Sequence, residues 1–384
     1  MFPIVDISGS PRERGRQYGG LARERILRSI DSYSRLFAFC GVGWKDVQAR
    51  AQPYRDEIAK VSPSLADEIR GIADGAGLAE SEILALNART ELLPPTHPAP
   101  PSPDFDAIVA ANRAAGVGVQ YDWGECTALA VLPAASRDGR TWLAQNWDWI
   151  GEQRAALVVL RITDENGRQR MTLTEAGMLA KIGLNDRGFG VCLNILRSVD
   201  DGRKPGLPVH VLLRHLLECG SVDEACAVAQ SITHGASSNV LIGDAAGHAA
   251  SLELSPRGVA ILRPANGTLA HTNHYLDASQ AQHAATLSPI ATTEQRLLCA
   301  RRYTSEAPEA KLGFADLEAL LRDESQGVES VCRHPDPALP PEVRVESVAG
   351  VIMDLAAHTM WIAPDVPSKV DFHPVSLVSP LPSD

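Results

Sequence analysis

The sequence lacks the features of a membrane protein or a nucleic-acid-binding protein. No uninterrupted apolar run approaches the roughly 20 residues of a transmembrane helix, and the N-terminus shows no basic region followed by an apolar stretch. Positive charge is in deficit, since 36 lysines and arginines stand against 47 acidic residues and leave a net charge of −11. We therefore expect a cytoplasmic globular protein whose partners include neither nucleic acid nor membrane.

Paired cysteines are also missing. The seven cysteines are scattered along the chain without a Cys-x-x-Cys pair, which argues against zinc or dithiol chemistry and favours a reducing compartment. His271 and His274 are three residues apart, but their rings would diverge in an extended chain, and no third ligand has the spacing of a metal site. The sequence predicts no metal and no cofactor.

The sequence pattern changes from helical to strand-like near residue 125. The first ninety residues show helical spacing, and residues 92–104 contain six prolines, which predict an exposed linker. From Cys126 onward, short apolar runs alternate with hairpin-type turns. A first helix is predicted to begin at Ser10-Pro11. Further helices are predicted over 46–60, 64–75, 80–90, 291–304 and 314–322, with two more within 207–231. Strands are predicted over 126–133, 141–147, 156–162, 169–175, 189–195, 239–243, 249–254 and 258–262. This order predicts a layered α+β architecture with antiparallel sheets between helices.

Cys126 and Asp148 are the first candidates for chemistry. Cys126 opens an apolar strand directly after Gly124-Glu125, where its thiol could be reached, although free cysteines are more often buried as small hydrophobic residues. Asp148 lies between Trp147 and Trp149, and a carboxylate between aromatic rings is costly without a partner. A turn aspartate and two core tryptophans are the alternative, against an aromatic-lined pocket.

Two asparagines and two histidines are further candidates. Asn194 ends one strand and Asn239 begins another, where an amide group could donate to an oxyanion, although each is unremarkable alone. His274 or His334 could form a dyad with Cys126, because dyads form in space and not in sequence.

Taken in order, these signals resemble the acyl-coenzyme A:6-aminopenicillanic acid acyltransferase family of self-cleaving N-terminal-nucleophile (Ntn) cysteine enzymes, known as peptidase family C45. The resemblance to bile salt hydrolases and penicillin V acylases is more distant. The resemblance to the acyltransferase family spans nearly the whole chain. It rests on Gly9–Gly15, Glu68–Gly77, Leu86–Glu91, Cys126-Thr127, Gln145–Trp149, Ser238-Asn239, Thr272–His274, Arg296, Val331–Pro335 and Val351–Leu355.

The resemblance implies an αββα sandwich and self-cleavage between Glu125 and Cys126. The thiol would attack the carbonyl group of Glu125, and hydrolysis of the resulting thioester would give subunits 1–125 and 126–384. The freed α-amine, with an ordinary pKa of about 7.7, would then serve as base for the thiol, whose ordinary pKa is about 8.5. Family members usually carry glycine before the cysteine, so Glu125 is consistent with slower or different processing.

The resemblance also implies roles for individual residues. Asp148 would orient the α-amine of Cys126, Asn239 and Asn194 would line the oxyanion hole, and Arg296 would place a cation near the nucleophile. Arg301 and Arg302 compete with Arg296 for that last role. The expected substrate contacts are Thr127, Trp147, Trp149, Asn273 and His274.

The predicted activity is hydrolysis of a small N-acyl compound through a Cys126 thioester, because the sequence shows no coenzyme A cradle and water is always available. The alternative is acyl transfer to an amine. A papain-like protease and a non-catalytic binding protein are the other classes. The expected partners are a small-molecule amide substrate, the two cleavage fragments bound to each other and, as one option, a second copy of the chain.

Overall fold

The computed structural model describes residues 1–93, 126–286, 291–305, 311–337 and 341–377. Its N-terminal part holds one strand, β1 (Ile4–Gly9), followed by helices. These helices are α1 (Pro11–Leu21), α2 (Arg23–Phe39), α3 (Trp44–Val61), α4 (Pro63–Ala76), α5 (Glu80–Asn87) and α6 (Arg89–Leu92).

Helices α1 and α4 pack backbone to backbone because glycines line their contact. A Cβ atom on Gly15 would lie 2.2 Å from the carbonyl oxygen of Glu68, and one on Gly19 would lie 2.2 Å from that of Ile72. The absence of side chains at these positions therefore permits the close approach. The buried ion pair between Arg14 and Glu68, 2.8 Å long, joins the same two helices.

The strands form two sheets. The first sheet has eight strands, in the spatial order β1, β4 (Leu157–Asp164), β5 (Gln169–Glu175), β6 (Ile182–Asn185), β7 (Phe189–Ile195), β8 (Ser238–Asp244), β9 (Ala249–Ser255) and β10 (Gly258–Leu262). The second has six, in the order β11 (Thr268–His271), β2 (Cys126–Val131), β3 (Trp142–Ile150), β12 (Val345–Asp354), β13 (Thr359–Ala363) and β14 (His373–Ser376). Neighbouring strands are antiparallel except for the pair β1 and β4.

The two sheets pack face to face, with β2 and β3 against β7 and β8. Helix α8 (Val222–Ser231) covers the outer side of the first sheet, and α7 (Val209–Leu216) packs against α8 and α5. Helices α10 (Thr293–Ser305) and α11 (Phe314–Leu321) cover the second sheet, and the short α9 (Ala278–Ala281) follows β11. The four layers place the main apolar core between the sheets.

The predicted α+β sandwich of two sheets between helical layers is confirmed. Strands β1, β6 and β11–β14 were not predicted, and the parallel pairing of β1 with β4 departs from the expectation of purely antiparallel sheets. Leu92, predicted to begin the proline-rich linker, belongs to α6. Residues 94–104 and Glu125 lie outside the described residues. Within the described ranges, the helices are too short or too polar to cross a membrane.

Candidate active site

Cys126 is the first residue of β2 and lies directly opposite Trp147 of β3. Its side chain is in the core between the sheets, and the residue is only 2% exposed. The backbone of this residue is held on both sides. Its N–H donates to Oδ1 of Asn273 at 2.6 Å, and its carbonyl oxygen accepts from Nδ2 of Asn194 at 3.1 Å and from Nη1 of Arg296 at 2.8 Å.

Asn194 and Asn239 form a pair between neighbouring strands. They are direct partners in the register of β7 and β8, which brings both amides to the same position on one face of the first sheet. Nδ2 of Asn239 donates to Oδ1 of Asn194 at 2.9 Å, and the hydroxyl of Ser251 donates to Oδ1 of Asn239 at 2.6 Å. Asn194 therefore contacts Cys126 directly, whereas Asn239 orients Asn194.

Arg296 connects three parts of the site. It lies on α10 and is fully buried. Besides the carbonyl oxygen of Cys126, its Nη1 donates to Oγ1 of Thr127 at 3.0 Å, and its Nη2 donates to Oδ1 of Asn273 at 3.1 Å. Arg301 and Arg302, the competing candidates, are exposed.

Asp148 is fully buried near the end of β3, one residue beyond Trp147. Its Oδ1 accepts a hydrogen bond of 2.6 Å from the hydroxyl of Ser347 on β12. Oγ of Ser347 in turn accepts the backbone N–H of Arg333 at 2.9 Å. The carboxylate is close enough to Cys126 for its charge to influence the pKa of the thiol.

The thiol of Cys126 is a weak acid in this environment. Burial raises its pKa to about 11, and the carboxylate of Asp148 adds to the increase, although Lys181 and Arg296 oppose it. Almost none of the thiol is ionised at neutral pH in the uncut chain. Any reaction at Sγ therefore needs a group that accepts its proton.

A buried charged cluster lies against the ring of Trp147. Nζ of Lys181 lies 3.9 Å from the centroid of the Trp147 ring and 3.7 Å from Oε2 of Glu175. Oε1 of Glu175 accepts hydrogen bonds from Arg89 at 3.2 Å and from the Tyr33 hydroxyl at 2.6 Å. Arg89, Glu175 and Lys181 are each 2% exposed or less.

Trp147 and Trp149 take part in this charged cluster. Both indoles are at most 1% exposed, and Cζ of Arg89 lies 4.4 Å from the centroid of the Trp149 ring. The rings are thus core residues that also carry cation–π contacts. Their predicted contact with a substrate stays a prediction.

The two histidines considered for a dyad have other partners. Nδ1 of His274 is 2.9 Å from Oγ1 of Thr293, and burial lowers its pKa to about 4, so the ring is neutral at pH 7. Nε2 of His334 is paired with Glu324 at 2.5 Å in a partly exposed position. Among the described residues, no histidine is hydrogen-bonded to Cys126. The geometry thus does not support a papain-like arrangement.

The charged cluster was not predicted from the sequence. Lys181 stands alone among apolar residues in the stretch Met178-Leu-Ala-Lys-Ile, and a lone charge in such a stretch is rarely buried without a partner. That signal could have been read. Its partners Glu175 and Arg89 could not be identified from spacing, because Arg89 is brought near only by the packing of α5 and α6.

Glu324, Cys332 and His334 also bring donor atoms within 4.8 Å of one another, which the pairing of Glu324 with His334 explains in part.

Two solved structures are similar to this chain at low sequence identity. One is a variant of conjugated bile acid hydrolase from Clostridium perfringens, with 13% identity and a TM-score of 0.43, covering 66% of this chain and 92% of that one. The other is penicillin V acylase from Agrobacterium tumefaciens, with 14% identity and a TM-score of 0.35, covering 62% of this chain and 82% of that one.

Sequence comparison gives the stronger result. Residues 135–369 match the family model of acyl-coenzyme A:6-aminopenicillanic acid acyl-transferase. The 40 kDa form of acyl-coenzyme A:6-aminopenicillanic-acid-acyltransferase from Emericella nidulans is 30% identical over 338 residues, which cover 86% of this chain and 84% of that protein. This chain belongs to the acyl-coenzyme A:6-aminopenicillanic acid acyltransferase family.

Proposed function

We propose that this protein is a self-cleaving cysteine amidohydrolase that forms a thioester between Cys126 and the acyl group of a small amide substrate. The observation that carries the proposal is the fixation of Cys126, whose backbone nitrogen and oxygen are held by Asn273, Asn194 and Arg296. A structural cysteine needs no such set of buried polar partners, since it packs as a small hydrophobic residue. Membership of an acyltransferase family supports the same class of reaction.

Self-cleavage would begin with attack of the Cys126 thiol on the carbonyl carbon of Glu125. The acyl group moves from nitrogen to sulfur, and water then hydrolyses the thioester. The products are a chain of residues 1–125 and a chain of residues 126–384, whose first residue is Cys126. Since the nitrogen of Cys126 already faces Oδ1 of Asn273, the new α-amine would be oriented from the start, with Asp148 as a second orienting group.

In the mature enzyme, the α-amine would accept the thiol proton during attack on the substrate. An amine with an ordinary pKa near 7.7 is a suitable base at neutral pH. Each Nδ2 group of Asn194 and Asn239 carries two hydrogens, and the bonds described above use one of them. The second hydrogen of Asn194 is the donor that we propose for a developing oxyanion, and Asn239 holds that amide in place.

The two predicted chains would stay together after cleavage. Residues on both sides of the cleavage site share buried contacts, since Tyr33 and Arg89 bind Glu175, and Nδ2 of Asn87 donates to the carbonyl oxygen of Gly177 at 2.9 Å. Separation would leave these polar groups without partners.

Transfer of the acyl group to an amine is the second candidate. It is favoured by the name of the Emericella nidulans relative, which is 30% identical to this chain. Hydrolysis and transfer share the Cys126 thioester and differ in the group that attacks it, so the same residues serve both reactions.

Mass spectrometry of the 126–384 chain after brief mixing with amide, lactam and dipeptide substrates tests the proposal. An acyl adduct on Cys126 that disappears in water is expected for the amidohydrolase. Decay that is accelerated by an added amine, with formation of a new amide, would favour the acyltransferase. Substrate turnover with no adduct on Cys126, and with unchanged rate in Cys126→Ala, would overturn both.

A further inference from the structure

Self-cleavage presents a problem that the mature mechanism does not. The base proposed for the mature enzyme is the α-amine of Cys126, but in the uncut chain that nitrogen belongs to a peptide bond and cannot accept a proton. Burial meanwhile raises the pKa of the thiol to about 11. Another group must therefore take the thiol proton before the first cut.

Lys181 is placed for this task. It precedes β6 and is buried between the sheets. Its Nζ lies over the ring of Trp147, which is the direct partner of Cys126 in the pairing of β2 with β3. Directly opposed residues project from the same face of a sheet, so the amine and the thiol enter the same space. No hydrogen bond between described atoms joins them, so proton transfer requires a bridging water or a rotation of the flexible four-carbon side chain.

The groups around Lys181 adjust how readily it holds a proton. Burial lowers the pKa of Lys181 to about 7, with Arg89 adding to the decrease, while Glu175 and the Cys126 thiolate oppose it. His210 also faces this cluster, and its own pKa is lowered by burial and by Arg89 and Lys181, so that it stays neutral. The lowered pKa makes the neutral amine of Lys181 accessible at neutral pH.

We propose that Lys181 is the base for self-cleavage, accepting the proton of the Cys126 thiol before the α-amine exists. This inference rests on the proposed function, in which Cys126 cuts its own chain.

The step balances without any further reactant. The lone pair of Nζ takes the proton from Sγ, and the thiolate forms a bond to the carbonyl carbon of Glu125. The bond between that carbon and the nitrogen of Cys126 then breaks, and the lysine ammonium returns the proton to the leaving nitrogen. Water hydrolyses the thioester. Lys181 ends neutral, as it began, and the α-amine takes over as base.

The other charged groups near the thiol suit this role less well. Aspartate has an ordinary pKa of about 4, so proton transfer from a thiol to Asp148 would be strongly uphill. Arg296 and Arg89 are guanidinium groups, which do not give up their protons in proteins. Lys181 is the only buried lysine in the part of the chain that the structure describes.

The test follows cleavage of the full-length chain made by cell-free translation, at several pH values, by the loss of the 41.1 kDa band on denaturing gels. Lys181→Met keeps the length of the side chain but removes the base, and we expect cleavage at least about 100-fold slower. Lys181→Arg keeps the positive charge without a transferable lone pair and should be equally slow. Lys204→Met, at an exposed position, should cleave at the wild-type rate.

The pH profile separates a base from a structural residue. The wild-type profile should show an inflection near pH 7, where Lys181 becomes neutral, before direct ionisation of the thiol raises the rate again towards about pH 11. In Lys181→Met the inflection near 7 should be lost, and only the rise towards the pKa of the thiol should remain.

The outcomes are distinct. If wild type is never cut, the proposed function fails. If wild type is cut and Lys181→Met or Lys181→Arg is cut equally fast, only the role of Lys181 is overturned. If both variants misfold, the wild-type profile still decides, because a rate that rises smoothly from acidic pH towards about 11, with no inflection near 7, contradicts a base with the pKa of Lys181.

Discussion

The two sides of Cys126 are built from different parts of the chain. The amide side consists of Asn194, Asn239, Asn273 and Arg296, all of which follow Cys126 in sequence, and it holds the backbone of the nucleophile. The charged side consists of Tyr33, Arg89, Glu175 and Lys181, two of which come from the N-terminal helices, and it faces the side chain.

Because the two sides differ, one cysteine could serve both self-cleavage and substrate turnover. The amide side supplies fixed donors, which are needed whenever an oxyanion develops. The charged side supplies an adjustable proton acceptor, which is needed only until the α-amine is released. It also binds the 1–93 segment to the rest of the protein, so that the uncut chain must fold as a whole before Lys181 acquires its environment.

Replacement of Glu175 on the charged side should have the largest effect, and it should fall on stability. Glu175→Gln leaves Arg89 as a buried cation without its anion and takes away the ion-pair partner of Lys181, which should lower the free energy of unfolding by about 3–5 kcal/mol. Urea unfolding followed by circular dichroism measures it. Glu165→Gln, an exposed control, should change little. Equal stabilities of the two variants would show that the cluster does not hold the N-terminal helices.

On the amide side, the effect should fall on catalysis. Asn194→Ala removes a donor that contacts Cys126 directly, and we expect kcat/KM to fall by about 100-fold, or about 2.7 kcal/mol. Asn239→Ala acts through Asn194 and should cost about tenfold. Steady-state kinetics on the cut enzyme, with thermal unfolding as control, provides the ranking. A larger loss in Asn239→Ala would reverse the assignment of the two amides.

Asp148→Asn tests whether the carboxylate orients the nucleophile. The amide can still accept the hydroxyl of Ser347, so the fold should persist with a melting temperature near that of wild type. Turnover should fall about tenfold because the α-amine loses an orienting charge. Unchanged kinetics would remove Asp148 from the site.

A gradual, pH-dependent effect concerns Glu91, which joins α6 to α7 by accepting the N–H of Val209 at 2.8 Å. Burial raises the pKa of Glu91 to about 7 in the folded protein, against 4.5 ordinarily. Its favourable contribution is complete below 4.5 and is lost as pH rises to about 7. Relative to Glu91→Gln, wild type should lose about 1 kcal/mol of stability per pH unit in that window, measured by urea titrations. If the stabilities of wild type and Glu91→Gln change with pH in the same way, the raised pKa of Glu91 is contradicted.

Much of the fold was predictable because hydrophobic periodicity is a local signal. The strands over 169–175 and 189–195 match the structure at both ends, and the family assignment was confirmed. Strand β1 was missed because its pairing with β4 joins residues about 155 positions apart. The proximity of Arg89 to Glu175 escaped detection for the same reason.

The candidate site shows the same limit. Cys126, Asn194 and Arg296 were singled out from the sequence, and the structure brings them into direct contact, although their roles remain predictions. Asn273 was predicted as a substrate contact, whereas the structure places its Oδ1 against the nitrogen of the nucleophile. Orientation of a side chain depends on tertiary packing, which the order of motifs does not encode.

Intact mass spectrometry of purified wild type beside Cys126→Ala shows whether Cys126 cuts its own chain. We expect two wild-type chains, with roughly one third and two thirds of the 41.1 kDa mass, the larger one beginning at Cys126, and a single uncut chain for the variant. A wild-type protein that stays whole while it turns over an amide substrate, or a variant that is cut at the same bond, would contradict it.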